Sequence, residues 1–390
     1  MAPRLGRWGP GCYRRVTIVR KGPATHERTR AAPKRDSVAG VRILVTGGAG
    51  FIGQALVAEL VTSAERVLVL DSLRPDVHRD GGASARKRLL ELGVDLVVGD
   101  VRDARAVAAA LNGIDAVVHL AAKVGLGVDI HDMDDYVSSN DYGTAVLLRC
   151  LSASEVRRFV QASSMVVYGE GHYTCSDHGS VSPVARTREA LSHGRFEPNC
   201  PVCGADLLPG MVGEEAPLDP RNTYAATKVA QEHLGAIWAR ETGGSAISLR
   251  LHNVYGPGMP RDTPYAGVAS IFSSALDRGE APRLFEDGGQ RRDFIHVHDV
   301  GHAFATALVS RGDRPAPHRA YNVGSGKVST IANLAQALSA SRKGPDPVVT
   351  GEFRLGDVRH ITASSARIRD ELGWRAMVPL ADGLSGLTFG

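Results

Sequence analysis

The chain has no run of apolar residues that approaches the roughly 18 needed to cross a membrane. It has no internal repeat, and its first 40 residues lack the continuous apolar core of a secretory signal peptide. Cysteine is scarce, with five in 390 residues. Because no export signal accompanies these cysteines, they indicate a reducing compartment, and we expect a cytoplasmic protein.

A large excess of charge is also missing, except in one segment. Residues 1–40 contain ten Arg or Lys and two acids, whereas residues from 41 onward contain 36 basic and 40 acidic residues. The body of the chain is therefore slightly acidic, which gives no reason to expect a nucleic-acid partner. We interpret 1–40 as a disordered basic tail or as the result of a start codon assigned too far upstream. An organelle transit peptide is the alternative.

A glycine-rich turn stands between a predicted strand and a predicted helix in the stretch VRILVTGGAGFIGQALVAEL. The strand runs from Arg42 to Thr46. Gly48, Gly50 and Gly53 match G-x-G-x-x-G, and Gly47 with the last two also matches G-x-x-G-x-x-G. Glycines at this spacing let the backbone approach a pyrophosphate, which then faces the free N–H groups of the helix N-terminus. Alone, the motif also fits a glycine-rich loop without a ligand.

Further strands follow in alternation with helices, which predicts a doubly wound α/β fold with a parallel sheet of Rossmann type. The second strand, RVLVLD, ends at Asp71, eighteen residues after Gly53. An acid at this point binds the adenosine ribose and repels a 2′-phosphate, so we expect NAD rather than NADP. The third strand, VDLVVGD, ends at Asp100, which we expect to meet the adenine. The fourth, DAVVHLAA, ends in small residues that allow the cofactor to lie close.

A predicted helix over 222–244 carries Tyr224 and Lys228, four residues apart and therefore on one face. An ammonium group beside a phenol favours the phenolate, so we expect a lowered pKa for Tyr224 and a role as general base. A fifth strand, from Arg158 to Ala162, delivers Ser163 and Ser164 at its carboxyl end. Ser164 is placed to hydrogen-bond a substrate hydroxyl. Taken singly, the Tyr–Lys pair and the serines are also common on solvated helices and at strand ends.

Together the motifs over 41–375 resemble the extended short-chain dehydrogenase/reductase superfamily, in its NAD-dependent nucleotide-sugar epimerase/dehydratase branch. The motifs are TGGAGFIG, HLAA, NDYGT, SSMVVYG, YAATK, LRLHNVYGPG, RRDFIHVHDV, YNVGSG and GDVRH. The resemblance implies a catalytic triad and a substrate-binding set that contacts the sugar diphosphate. The triad is Ser164, Tyr224 and Lys228, and the substrate set is Ser164, Asn253, Arg292 and Arg359. The cofactor contacts are expected from Gly47, Gly50, Phe51, Ile52, Gly53, Asp71, Asp100, Val101, Leu120, Ala121, Ala122, Tyr224 and Lys228.

One departure narrows the reaction that the resemblance implies. Dehydratases of this branch carry Asp-Glu after the triad Ser or Thr, where this chain has Met165 and Val166. Neither side chain can transfer a proton, so dehydration is disfavoured. We expect 4-epimerisation of a dTDP 6-deoxy sugar by an enzyme that forms a homodimer. The alternatives are a nucleotide-sugar 4-ketoreductase or dehydrogenase, which would share the triad, and a non-catalytic NAD-sensing protein.

Residues 171–213 interrupt the family pattern and contain Cys175-x2-His178 and Cys200-x2-Cys203, separated by 21 residues. This spacing is typical of a structural zinc ribbon with four protein ligands. The insert looks like the one in bacterial dTDP-L-rhamnose 4-epimerases, which carry CxxC where this chain has the first pair. Four coincidental residues in a loop are the alternative. Cys150 lies in a helical pattern and is expected in the core.

The expected domain organisation divides the chain between a cofactor domain and a substrate domain. The Rossmann domain takes 41–170, 214–254 and 291–310. The smaller α/β substrate domain takes 255–290 and 311–390, and the zinc-ribbon-like insert takes 171–213.

Overall fold

The computed structural model describes residues 38–125, 130–261, 267–310 and 317–387, and the backbone of a short strand at 17–19. The predicted tail at 1–40 therefore lies almost wholly outside the described residues. Within it, Thr17–Val19 pairs antiparallel with Leu96–Val98, which adds a strand where a disordered tail was expected.

The strands are, in chain order, β1 (Thr17–Val19), β2 (Arg42–Thr46), β3 (Arg66–Asp71), β4 (Asp95–Val98), β5 (Ala116–His119), β6 (Arg158–Ser164), β7 (His172–Cys175), β8 (Gly179–Val181), β9 (Leu208–Gly210), β10 (Ser245–Leu251), β11 (Asn253–Tyr255), β12 (Arg283–Leu284), β13 (Arg291–Arg292), β14 (Phe294–His296), β15 (His318–Val323), β16 (Ser329–Thr330), β17 (Val348–Val349) and β18 (His360–Ile361).

The helices are α1 (Phe51–Leu60), α2 (Ala83–Glu91), α3 (Ala104–Ala110), α4 (Met133–Tyr136), α5 (Gly143–Ser152), α6 (Arg188–Ser192), α7 (Thr223–Thr242), α8 (Val268–Asp277), α9 (Val297–Val309), α10 (Ile331–Arg342), α11 (Ala366–Leu372) and α12 (Leu380–Ser385). A π-helical segment, Val137–Tyr142, joins α4 to α5, and 3-10 segments lie at Ile130–Asp132 and Met165–Tyr168. Among the described residues, no helix combines the length and apolar character that a membrane span needs.

A parallel sheet of seven strands forms the centre of the protein, in the order β4-β3-β2-β5-β6-β10-β15, with β1 antiparallel at one edge. Thr46 pairs with both Leu70 and His119, so the carboxyl ends of the central strands lie level. The strands read as nearly continuous apolar runs because helices cover both faces of the sheet. Helices α1 and α9 pack on one face, and α3, α5 and α7 pack on the other. The doubly wound Rossmann-type fold is confirmed.

The C-terminal part has its own core, formed by residues such as Tyr255, Phe272 and Leu334. The division expected for 311–390 needs correction, because β15 pairs in parallel with β10 over six residues and completes the main sheet. Ile368 and Trp374 also pack into the core of that sheet. The chain thus returns to the first domain after 317, since a long-range parallel partner fixes β15.

The insert forms a small three-stranded antiparallel sheet in the order β8-β7-β9. Its two ends are held on the C-terminal part by backbone hydrogen bonds, from Gly171 N–H to the His360 carbonyl at 3.0 Å and from Val212 N–H to the Thr362 carbonyl at 2.8 Å. The insert therefore sits beside strand β18.

Candidate active site

The glycine turn after β2 is so closely packed that a side chain at Gly47 or Gly53 would collide with neighbouring backbone atoms. A Cβ on Gly53 would lie 2.3 Å from the Gly47 carbonyl oxygen, and one on Gly47 would lie 2.6 Å from the Ala121 nitrogen. Gly47 also has φ of +73°, a conformation that side chains disfavour. Helix α1 follows at once, and Gly50 at its N-cap provides no side-chain cap. The first N–H groups of the helix thus stay available for an anion.

Asp71 ends β3 beside this turn and is 9% exposed. Its two carboxylate oxygens accept the Ala49 N–H at 3.0 Å and the Leu73 N–H at 2.9 Å. Each oxygen keeps lone pairs that can accept a ribose hydroxyl. Asp100, after β4, is bound by Arg102 through both backbone and side chain. Burial raises the pKa of Asp100, but the Arg102 hydrogen bonds outweigh this effect and lower it.

The catalytic candidates meet at the carboxyl end of β6. Helix α7 begins after Asn222, whose side chain accepts the Ala225 N–H at 2.8 Å and so fixes the first turn. Lys228 is 3% exposed, and its Nζ donates to the Ala162 carbonyl at 2.9 Å. Its Nζ lies 5.7 Å from the ring centroid of Tyr224.

The pKa values of Tyr224 and Lys228 differ from what the sequence predicted. Burial raises the pKa of Tyr224 to about 12, although a hydrogen bond with Ser164 acts in the opposite direction. Burial lowers the pKa of Lys228 to about 8, opposed by the charges of Glu232 and Asp141. A lowered Tyr224 pKa was expected from the lysine. The buried site instead favours neutral forms, because desolvation exceeds the effect of an ammonium directed at a carbonyl.

A cavity of about 380 Å³ joins these features. Its wall includes every residue that was predicted to bind the cofactor and the three catalytic candidates. Sequence analysis missed further wall residues, namely Arg74, Arg102, Lys123, Ser139 and His252. Lys123 directly follows the HLAA motif, which could have pointed to it. Arg74 and Arg102 closely follow Asp71 and Asp100, and His252 precedes Asn253, whereas Ser139 reaches the cavity through tertiary packing.

Of the substrate-binding candidates, Ser164 lines this wall, whereas Asn253, Arg292 and Arg359 lie outside it. Asn253 begins β11, between the wall residues His252 and Val254, and its buried Oδ1 has no hydrogen-bond partner among the described residues. Arg292 donates to the carbonyls of Arg291, Val358 and Arg359 at 2.6–2.9 Å.

Arg359 does not occupy the position expected of a phosphate clamp. It is 2% exposed, and Glu197, Glu286 and Asp287 surround its guanidinium at 2.6–2.9 Å. All five N–H donors of the side chain therefore have carboxylate acceptors, which leaves none for a substrate phosphate. We correct its role to that of a buried ion-pair centre.

The cysteine and histidine ligands predicted in the insert come together. One ligand atom from each of Cys175, His178, Cys200 and Cys203 lies within 4.8 Å of the others. The Cys175 Sγ is 3.5 Å from the His178 Nδ1 and 3.6 Å from the Cys203 Sγ, and the Cys200 Sγ is 3.7 Å from the same nitrogen. Tetrahedral zinc with Zn–S of about 2.3 Å and Zn–N of about 2.0 Å requires ligand separations of roughly 3.5–3.8 Å. The group has the spacing and chemistry of a four-ligand site.

The glycine turn, Asp71 and the Ser–Tyr–Lys group define a dinucleotide-dependent enzyme of Rossmann type. The chain matches the NAD dependent epimerase/dehydratase family over residues 43–192 and 203–324, and it belongs to that family. It is 34% identical to the dTDP-L-rhamnose 4-epimerase of Burkholderia thailandensis, over 90% of this chain and 94% of that protein. It is 29% identical to the UDP-glucose 4-epimerase of Mycolicibacterium smegmatis, over 88% and 96% respectively.

A solved structure of similar fold is the Thermus thermophilus UDP-glucose 4-epimerase in complex with NAD. It has a TM-score of 0.67 and 28% identity, over 88% of this chain and 97% of that chain. The protein is therefore an NAD-dependent enzyme of the nucleotide-sugar epimerase/dehydratase type. The glycine turn and Asp71 fit NAD, which supplies a hydride acceptor when bound.

Proposed function

We propose that the enzyme catalyses the 4-epimerisation of a dTDP-linked 6-deoxy sugar through a transient 4-keto sugar. The observation that carries the proposal is the placement of Ser164, Tyr224 and Lys228 in one cavity with the glycine turn, without an acid-base pair after Ser164. Met165 and Val166 stand there, so the site has the groups for reversible oxidation and lacks those for dehydration. The similarity to a named dTDP-L-rhamnose 4-epimerase supports the sugar and the base.

In this reaction Ser164 hydrogen-bonds the C4 hydroxyl of the sugar while Tyr224 accepts its proton. The phenolate of Tyr224 is the form that accepts this proton, and the ammonium of Lys228 stabilises it before the transfer; the depressed pKa of about 8 leaves Lys228 mainly protonated at neutral pH. With NAD bound as hydride acceptor, the C4 hydrogen would leave as hydride and return to the other face of the 4-keto sugar after the sugar turns, while Tyr224 would give the proton back to the C4 oxygen. Proton and hydride are both restored, so no external oxidant or reductant is consumed.

The diphosphate of the substrate needs donors at the far end of the site. We propose Asn253 and Arg292 for this role. Asn253 adjoins the cavity wall, and three of the five N–H donors of Arg292 bond to backbone carbonyls. Its remaining donors can meet phosphate oxygens. Arg359 has no part in this contact.

A panel of dTDP and UDP sugars, incubated with the purified enzyme and no added cofactor, tests the reaction. Formation of the C4 epimer without a net change in nicotinamide absorbance supports epimerisation. A stoichiometric requirement for NADH would establish the ketoreductase alternative instead. The matched control is Tyr224→Phe, which keeps the ring and removes the base. Its turnover should fall at least ~100-fold while NAD retention persists. Near wild-type turnover in that variant would remove Tyr224 from the mechanism.

We further propose that the insert holds one structural zinc ion through Cys175, His178, Cys200 and Cys203. Cysteine and histidine are the ligands that zinc prefers, and four protein ligands leave no open position for catalysis. Only a few apolar side chains, among them Tyr173 and Leu207, form the small core around Cys175 and Cys200. A metal clip would replace the core that this insert cannot build.

A further inference from the structure

Two side chains of the insert reach across to the C-terminal part. Arg186 donates to Glu286 Oε1 at 2.8 Å and to the Asp357 carbonyl at 2.7 Å. Glu197 accepts from Arg359 at 2.6 Å and is 2.7 Å from the Nε2 of His360. Two residues of the insert, Arg186 and Glu197, thus bind the segment 357–360.

Glu197 holds both members of the Arg359–His360 pair, and the direction of each hydrogen bond is defined. The Nδ1 of His360 accepts the backbone N–H of Arg291 at 3.0 Å. The imidazole must then carry its proton on Nε2, which donates to Glu197. One carboxylate oxygen of Glu197 therefore accepts from the Arg359 guanidinium, and the other accepts from the His360 imidazole. Both oxygens must act as hydrogen-bond acceptors.

The segment that Glu197 fixes is the one that binds Arg292. Arg292 donates to the Val358 carbonyl at 2.6 Å and to the Arg359 carbonyl at 2.9 Å. Its charge also acts on His252, which lines the cavity. The chain of contacts runs from the insert through Glu197 and 358–359 to Arg292, whose charge acts on the cavity residue His252.

Glu197 stands just before the turn at 199–206, which carries Cys200 and Cys203. Cys200 N–H bonds to the Ala205 carbonyl at 2.8 Å, and Gly204 N–H bonds back to the Cys200 carbonyl at 2.9 Å. The Asn199 side chain donates to Asp206 at 2.8 Å. Glu197 stands three residues before Cys200. The position of its backbone therefore depends on whether the turn is ordered.

We propose that Glu197 is a positioning residue for the diphosphate end of the substrate site. Through Glu197, the turn at 199–206 that carries two of the proposed zinc ligands determines the position of Arg292. The proposal rests on the function proposed above. In this role Glu197 acts through the 357–360 segment. Loss of Glu197 would leave Arg359 with two carboxylates, Glu286 and Asp287. Its buried charge would still be compensated, so the fold should survive.

The test is Glu197→Gln, which preserves shape. Its amide can present an oxygen to Arg359 but then directs an N–H at the N–H of His360, a conflict of two donors. The matched control is Glu189→Gln, an exposed position on the same insert. We expect the affinities for dTDP and UDP, measured by calorimetry, to fall about 10-fold in the first variant and to stay unchanged in the control. The KM for the sugar nucleotide should rise by a similar factor, with kcat, NAD retention and zinc content close to wild type.

Cys200→Ser should weaken diphosphate binding similarly, and the double variant with Glu197→Gln should lose little more, because both act along one path. Full additivity would contradict the route from the turn through Glu197. Diphosphate affinity equal to wild type in Glu197→Gln would overturn the inference. A parallel loss of NAD retention and thermal stability would also overturn it, since it would show a general structural role. The binding measurement needs no turnover, so it tests Glu197 even if the wild-type enzyme does not epimerise any sugar in the panel.

Discussion

At the scale of single residues, we expect Asp71 to decide between the two nicotinamide cofactors. Its carboxylate is fixed by two backbone N–H groups and would repel a 2′-phosphate. Arg74, the first arginine after Asp71 in the sequence, is already held by Asp76 and Asp135 at 2.9–3.1 Å. We therefore expect Asp71→Asn to narrow the preference for NAD by about 10-fold without reversing it. Dissociation constants for NAD and NADP check this, with Asp95→Asn as the control. Equal affinity of the wild type for both cofactors would contradict the role of Asp71.

Lys228 is a proposed catalytic residue whose burial lowers the stability of the folded protein. Burial lowers its pKa from 10.5 to about 8, so the unfolded chain binds more protons than the folded chain between these values. Stability from this group therefore rises with pH across that window, and the full burial cost is present below pH 8. We expect Lys228→Met to raise the melting temperature by a few degrees near neutral pH and to abolish activity. The gain should shrink above the unfolded pKa. Lys87→Met, on the surface, is the control, and a gain that is independent of pH would contradict the assignment.

Sequence patterns placed the residues that act locally and failed for those that depend on distant partners. Ser164, Tyr224, Lys228 and Asp71 line the cavity because a strand end or a helix turn places each of them. Arg359 was misassigned because its partners, Glu197 and the Glu286–Asp287 pair, come from segments far along the chain. Nothing in the GDVRH motif indicates that these carboxylates converge on it.

At the scale of elements, short-range patterns predicted β2 and β3 with their observed bounds, because each is an apolar run ended by a turn. The same reasoning put β15 in the wrong unit. Its parallel partner, β10, is separated from it by more than sixty residues of the chain. A strand of this length carries no sign of which sheet it joins.

The insert provides the prediction at this scale. Cys200→Ser should lower zinc content below the expected one ion per chain and raise protease sensitivity within 171–213, because the turn loses its clip. NAD binding should remain, since the glycine turn and Asp71 lie on the other part of the chain. Metal analysis of protein purified without chelator, followed by limited proteolysis, measures both. Cys150→Ser, in helix α5, is the matched control. A metal-free wild type whose insert resists proteolysis would show that no clip is needed.

At the scale of the whole molecule, the active site is assembled from separate units of the chain. The parallel sheet supplies the glycine turn and Ser164, and α7 supplies Tyr224 and Lys228. The C-terminal segment 358–359, which the insert residue Glu197 contacts, holds Arg292. Because these units come from distant segments, the sequence could predict the cofactor half from local motifs, whereas the other half required the tertiary structure.

The outer surface of α7 and of the α4–α5 segment carries exposed apolar side chains. The two elements pack side by side, and several of their outward apolar side chains are 40–57% exposed. These side chains are Met133, Val137, Tyr142 and Ile237. On α7 the exposed Ile237 lies apart from Lys228, which faces the cavity. We propose that this helical face forms a homodimer, because a second copy presents the same apolar stripe and the two can cover each other about a two-fold axis.

The change that tests the dimer is the double substitution Val137→Glu and Ile237→Glu. Two such charges on each protomer would meet their symmetry mates across the axis, and an interface of the usual ~1,600 Å² does not tolerate buried like charges at its centre. We expect sedimentation to give a dimer for the wild type and a monomer for this variant, with NAD still bound because neither residue lines the cavity. Met377→Glu, which is exposed on the C-terminal part, should leave the dimer intact. A wild type that sediments as a monomer at micromolar concentration, or a double variant that stays dimeric, would show that this face is not the interface.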